Sequence, residues 1–156
     1  WQRVKKIIPS RFRKKRFANF EVDDKNKKSY EACKKFAENF EKIQQNSPGI
    51  GMFLSGPVGV GKTHLAYSMI RQICVEHSND WFTIKTTSSI DLFSDLSPME
   101  KDKDRKKRKK SLKDCGLLLF DDLGTHRLSD WVTERIMELV DHRYKHEKPT
   151  ILTSNK

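Results

Sequence analysis

The chain has 156 residues, enough for one domain with a real core, and carries 32 Lys+Arg against 21 Asp+Glu for a formal net charge of +11. No apolar run approaches membrane-spanning length and no signal peptide opens the chain, which excludes an integral membrane protein and predicts a soluble, cytoplasmic one. The cysteines (Cys33, Cys74 and Cys115) are odd in number, far apart and set in apolar patterns, so neither a disulfide framework nor a zinc site is supported.

The positive excess points to a polyanionic partner, nucleic acid first, or to nothing more than a solvated surface. The chain starts at Trp1 without an initiator Met and reads as a fragment. Residues 1–28 read as a basic arm or linker. WQRVKKIIPSRFRKKR is broken by Pro9, which favours an extended course, and Arg11, Arg13, Lys14, Lys15 and Arg16 either touch phosphates or are merely solvated. Phe17 and Phe20 form an apolar pair suited to docking on the core. The core itself is expected over 29–156. Ser29 caps a helix reaching about Gln45, whose apolar face is Tyr30, Cys33, Phe36, Ala37, Phe40 and Ile43.

The organising stretch is Met52–Leu65, MFLSGPVGVGKTHL. A short apolar strand runs into Gly56-Pro57-Val58-Gly59-Val60-Gly61-Lys62-Thr63, a G-x-x-x-x-G-K-T phosphate-binding loop, and a helical pattern follows to about His77. Glycines let the backbone aim N–H groups at an anion, and the helix N-terminus adds partial positive charge. Lys62 reaches the β- and γ-phosphates and acts in catalysis, the Thr63 hydroxyl ligates Mg²⁺, and His64 completes the stretch expected to line ATP or ADP.

Trp81–Thr86 predicts a second strand, and Ser88 or Ser89 a cap for a short helix through Leu96. Between Pro98 and Asp114 the composition turns densely basic without an apolar period, which predicts a mobile surface loop. That loop contacts single-stranded nucleic acid, is simply solvated or, ranked lower, is a nuclear-localisation signal at Lys106–Lys110. Gly116–Phe120 is a wholly apolar strand that emerges into Asp121 and Asp122. In a P-loop nucleotidase the first acid holds Mg²⁺ and the second polarises the attacking water. Ser129 or Asp130 starts a helix to about Lys145, and Thr150–Thr153 forms a fourth strand ending in Ser154-Asn155, where Asn155 can orient that water.

GPVGVGKTHL, LLLFDDLG and PTILTSN, in this order, resemble the AAA+ ATPases of the DnaC/DnaI helicase-loader group and their IstB-like transposase-helper relatives. IIPSRFRKKRFANFEVDD and SDWVTERIMELVDHRY resemble the same family. The resemblance implies a three-layer α/β P-loop fold with a parallel sheet, Met52–Ser55 and Gly116–Asp121 near its centre. It implies Walker A at Gly56–Thr63, the Walker B metal acid at Asp121, and sensor 1 at Asn155. Asp122 stands where many relatives carry Glu, which suggests slow, switch-like ATP hydrolysis that depends on a neighbouring subunit. The fifth strand, lid, arginine finger and sensor-2 helices are expected beyond this sequence. The function implied is an ATP-dependent DNA-replication factor that binds single-stranded DNA, oligomerises with its own copies on activation, and places a replicative hexameric helicase through a region outside this chain. A transposase helper on duplex DNA is the alternative; further ones are a small-molecule kinase, which lacks an acceptor pocket signature, and a nucleotide-bound DNA-binding module without turnover.

Overall fold

The computed structural model describes residues 2–77, 82–96, 103–123 and 130–155. Its layering follows from the alternation of side chains along the strand β3 (Leu117–Leu123). Leu117 and Leu119 enter one apolar cluster, and Leu118 and Phe120 enter another on the opposite face. β3 is therefore covered on both sides, and its Leu117–Phe120 stretch is continuously apolar, as an interior parallel strand requires. The sheet holds β1 (Met52–Ser55), β2 (Ile84–Ser88), β3 and β4 (Thr150–Ser154), all parallel, in the order β1-β4-β3-β2. β3 and β4 are interior. β1 lies at an edge of the described sheet, not near its centre as expected, and its Phe53 is 60% exposed.

One face is covered by α1 (Gln2–Ile7), α2 (Lys27–Glu38) and α4 (Lys62–Glu76). The other is covered by α5 (Ser89–Leu96), α6 (Lys103–Asp114) and α7 (Asp130–Lys145), which supply Leu92, Leu112, Ile136 and Leu139 to the second cluster. Helices on both faces of a parallel sheet give the expected three-layer α/β fold. All three cysteines are buried and free. No described helix is long and apolar enough to cross a membrane.

Several elements depart from expectation. Residues 2–7 are helical, not extended. Val4 and Ile8, four apart and thus on one helical face, are both 1% exposed in the cluster that also contains Phe36 and Ile70. Arg3 fastens the helix by donating to the carbonyls of His77 and Phe82. Pro9 ends α1 and does not keep it from forming. The single helix expected over Ser29–Gln45 is two, α2 and α3 (Phe40–Asn46), broken at Asn39. The second strand is shifted to Ile84–Ser88, with Trp81 outside the described residues.

The largest difference is α6. The segment expected to be a loop is helical over Lys103–Asp114, while 97–102 lie outside the described residues. Lysine and arginine are good helix formers, and the segment has no Gly, Pro or β-branched residue to oppose them. Leu112 anchors it in the second cluster, and Lys109 and Lys113 reach Glu138 of α7 at 3.3 and 2.7 Å. The guanidinium of Arg143, 1% exposed, then donates to the carbonyls of Leu112 (2.8 Å), Lys113 (3.1 Å) and Cys115 (3.0 Å) at the C-terminus of α6. Helix ends leave such carbonyls without intrahelical partners, and a cation is the group that suits them.

Candidate nucleotide site

The strands' C-terminal ends deliver the phosphate loop, the acid pair and the β4 terminus to one crevice, where open parallel sheets bind ligands. From β1 the chain turns through 56–61 into the N-terminus of α4. Gly61 needs to be glycine twice over. Its φ is +92°, and a β-carbon there would lie 2.6 Å from the ring of Phe20. Lys62 turns back over the loop and donates from Nζ to the carbonyls of Gly56 (2.7 Å) and Pro57 (2.6 Å). Val58, at the tip, is 80% exposed.

One turn of hydrogen bonds ties loop, acids and β4 together. Thr63 Oγ1 donates to Asp121 Oδ1 at 3.0 Å, and Thr153 Oγ1 donates to the same oxygen at 2.7 Å. The Asp122 N–H donates to Thr153 Oγ1 at 2.7 Å, and Asn155 Nδ2 donates to Asp122 Oδ1 at 2.8 Å. Ser89 Oγ donates to the Asp122 carbonyl. β3 does not end at the acids, as expected, but runs to Leu123 through a register irregularity between Phe120 and Leu123. Within it Asp122 has φ +65°, a left-handed conformation that Asp tolerates better than most residues with a β-carbon.

Asp121 is 5% exposed. Burial pushes its carboxyl above the usual carboxylate range; the Thr153 and Thr63 hydroxyls oppose the rise, Asp122 adds to it, and the more distant Arg11 lowers it. The acid therefore has hydroxyl partners and no ion-pair partner among the described residues. Among those residues no group of three or more His, Cys, Asp or Glu could hold a metal. Two hard oxygens from Thr63 and Asp121 instead fit an ion that keeps waters and takes its remaining ligands from phosphates, as Mg²⁺ does.

Thr63, Asp121, Asp122 and Asn155 thus share one hydrogen-bond network through Thr153, and Lys62, next to Thr63 in the chain, turns back over the loop. His64 lies away from the acid pair and lines the cavity beside the loop: its Nε2 pairs with Arg16 O (3.0 Å) and Asn19 Oδ1 (3.1 Å), and its ring meets Phe20 edge-on. A cavity of about 1060 Å³ opens beside the loop; its far wall includes Lys15, Phe20, Val22, Asn26 and Ser29, and its near wall Gly56, Pro57 and Gly59 to Lys62. The sequence does not place this wall, Thr153 or Ser89 at the site. The signal for Thr153 was available: alternation along β4 puts it on the buried face with Ile151, where a hydroxyl must find a partner.

A sequence model for IstB-like ATP binding protein matches residues 13–156. The chain belongs to this family. The crystal structure of the DnaC helicase loader superposes with a TM-score of 0.80 at 28% identity, over 95% of this chain and 80% of that one. The fold is accordingly that of a P-loop AAA+ domain. A chromosomal replication initiator protein DnaA from Campylobacter fetus is 27% identical over 140 residues, 90% of this chain and 30% of its own length. An ATP-binding protein of an insertion sequence in Mycobacterium tuberculosis is 31% identical over 108 residues, 69% of this chain and 41% of its own. The chain spans less than half the length of these two curated relatives. Nucleotide binding follows from family membership and from the loop.

Proposed function

We propose that this domain is an ATP-hydrolysing switch in a DNA-replication factor of the helicase-loader kind. The observation that carries the chemistry is the 3.0 Å bond between Thr63 and Asp121, which joins the phosphate loop to the acid pair. The triphosphate lies along the loop, with Lys62 exchanging the loop carbonyls for phosphate oxygens and the α4 N-terminus facing the charge. The base and ribose occupy the cavity between the loop and residues 15–29. Thr63 and Asp121 hold Mg²⁺, which when bound neutralises phosphate charge. Asp122 accepts the proton of the attacking water, and Asn155 fixes the Asp122 carboxylate and helps to orient that water. With the shorter acid, and with the arginine that speeds such reactions expected from a neighbouring copy, turnover by an isolated subunit is slow.

Single-stranded DNA and a hexameric helicase are the proposed partners, supported by the likeness to the DnaC loader. Exposed Lys103, Lys106, Lys107 and Lys110 form a stripe along α6 at i, i+3, i+4 and i+7, a surface that suits a phosphate backbone. The insertion-sequence relative favours a second reading, a transposase helper acting on duplex DNA. Lys62→Ala is expected to abolish binding of a fluorescent ATP analogue by the full-length protein, and unchanged affinity would remove the phosphate-loop reading. Retention of a replicative helicase and not a transposase by the immobilised full-length protein supports the loader; the reverse result replaces it with the helper.

A further inference from the structure

Thr153 is 1% exposed, and its hydroxyl performs two tasks at once. It donates to Asp121 Oδ1 at 2.7 Å and accepts the Asp122 N–H at 2.7 Å. The second bond matters because of the β-bulge. Where β3 and β4 fall out of register, a bulged residue loses its partner in the ladder, and a buried N–H without one is costly. The Thr153 side chain supplies the acceptor that the β4 backbone does not. It thereby supports the left-handed backbone of Asp122, whose carbonyl and carboxylate are held in turn by Ser89 and Asn155. The first bond, with that from Thr63, fixes which way the Asp121 carboxylate turns.

We propose that Thr153 is the positioning residue of the acid pair: one hydroxyl sets the carboxylate of Asp121 and the backbone of Asp122 together, so that the metal acid and the base are presented as a unit. This rests on the ATPase reading above. A merely structural hydroxyl, satisfying buried groups in the sheet, makes a different prediction for cation binding.

The test uses the full-length protein with Thr153→Val, which keeps the shape and removes both bonds, and Thr153→Ser, which restores the hydroxyl. A fluorescent ATP analogue is bound first in EDTA and then titrated with Mg²⁺, and steady-state turnover is measured alongside. Thr153→Val is expected to bind the analogue in EDTA about as well as the unmodified protein. Its Mg²⁺ midpoint should rise about tenfold or more, and kcat should fall by a similar factor with KM little changed, the size of effect typical of removing a partner of a metal ligand. Thr153→Ser should return both within about threefold of the parent, since the hydrogen-bonding group is restored. A normal Mg²⁺ midpoint and kcat in Thr153→Val, at a temperature where circular dichroism shows it folded, would overturn the proposal and leave the ATPase reading intact. Equal impairment of the Ser and Val variants overturns it too. Parent protein that binds the analogue no better than Lys62→Ala overturns the ATPase reading, and this proposal with it.

Discussion

Two carboxylates organise this domain, and they are held in opposite ways. Asp121 in the crevice is buried, bonded among the described residues only to hydroxyls, and pushed toward the protonated form. Glu138 at the α6–α7 seam faces water with 37% of its side chain exposed and accepts from Lys113, Arg135 and Lys109, which hold its carboxyl down at about 2. The first has no ion-pair partner among the described residues, which leaves it open to a cation. The second is fully used in fastening a basic helix to its neighbour. Function and stability should therefore respond to the two sites separately.

The sharpest way to break the contrast is Asp122→Asn, beside the buried acid. Turnover should fall about 10²–10⁴-fold, the range for losing a general base, while the melting temperature of the nucleotide-free protein scarcely moves. Retained turnover would sink the assigned role. Next comes Arg143→Met, which deprives the α6 terminus of its buried cap. With five oxygen acceptors served by that one guanidinium, unfolding free energy should drop by about 3 kcal/mol in denaturant titration. A loss within experimental error would mean that water replaces it.

The smallest effect belongs to Glu138→Gln, about 1 kcal/mol or less, since solvent screens these partners, and 0.5 M salt should erase most of it. Its pH dependence has a definite sign. The folded value, about 2, lies below the ordinary 4.5, so protons bind the unfolded chain first. The contribution is whole above pH 4.5 and lost as pH falls through 2. Stability curves of parent and variant measured across this window should converge toward acid; parallel curves would mean that the three cations do not stabilise the carboxylate.

The crevice was more legible in the sequence than the seam, for a physical reason. A phosphate loop is a local device, written in glycine spacing over eight residues, and an apolar run that emerges into acids is nearly as local. What those acids do next was not visible. The left-handed turn at Asp122 exists because β3 slips against β4, and its support, Thr153, is 31 residues away in sequence. The helix α6 was missed because charge density was read as an absence of order. Its anchors are Leu112, Glu138 and Arg143, and two of them lie on α7. α1 is hard to read locally because Pro9 stands next to it, and the Val4–Ile8 spacing that buries one face rests on only two residues.

Phe20 sits where residue 61 would carry a side chain, so a packed ring braces the loop beside the hydrogen bonds from Lys62. A side chain at residue 61 would therefore displace Phe20 and, with it, the segment that also pairs with His64. One packing contact thereby joins the phosphate loop to the other residues that line the cavity.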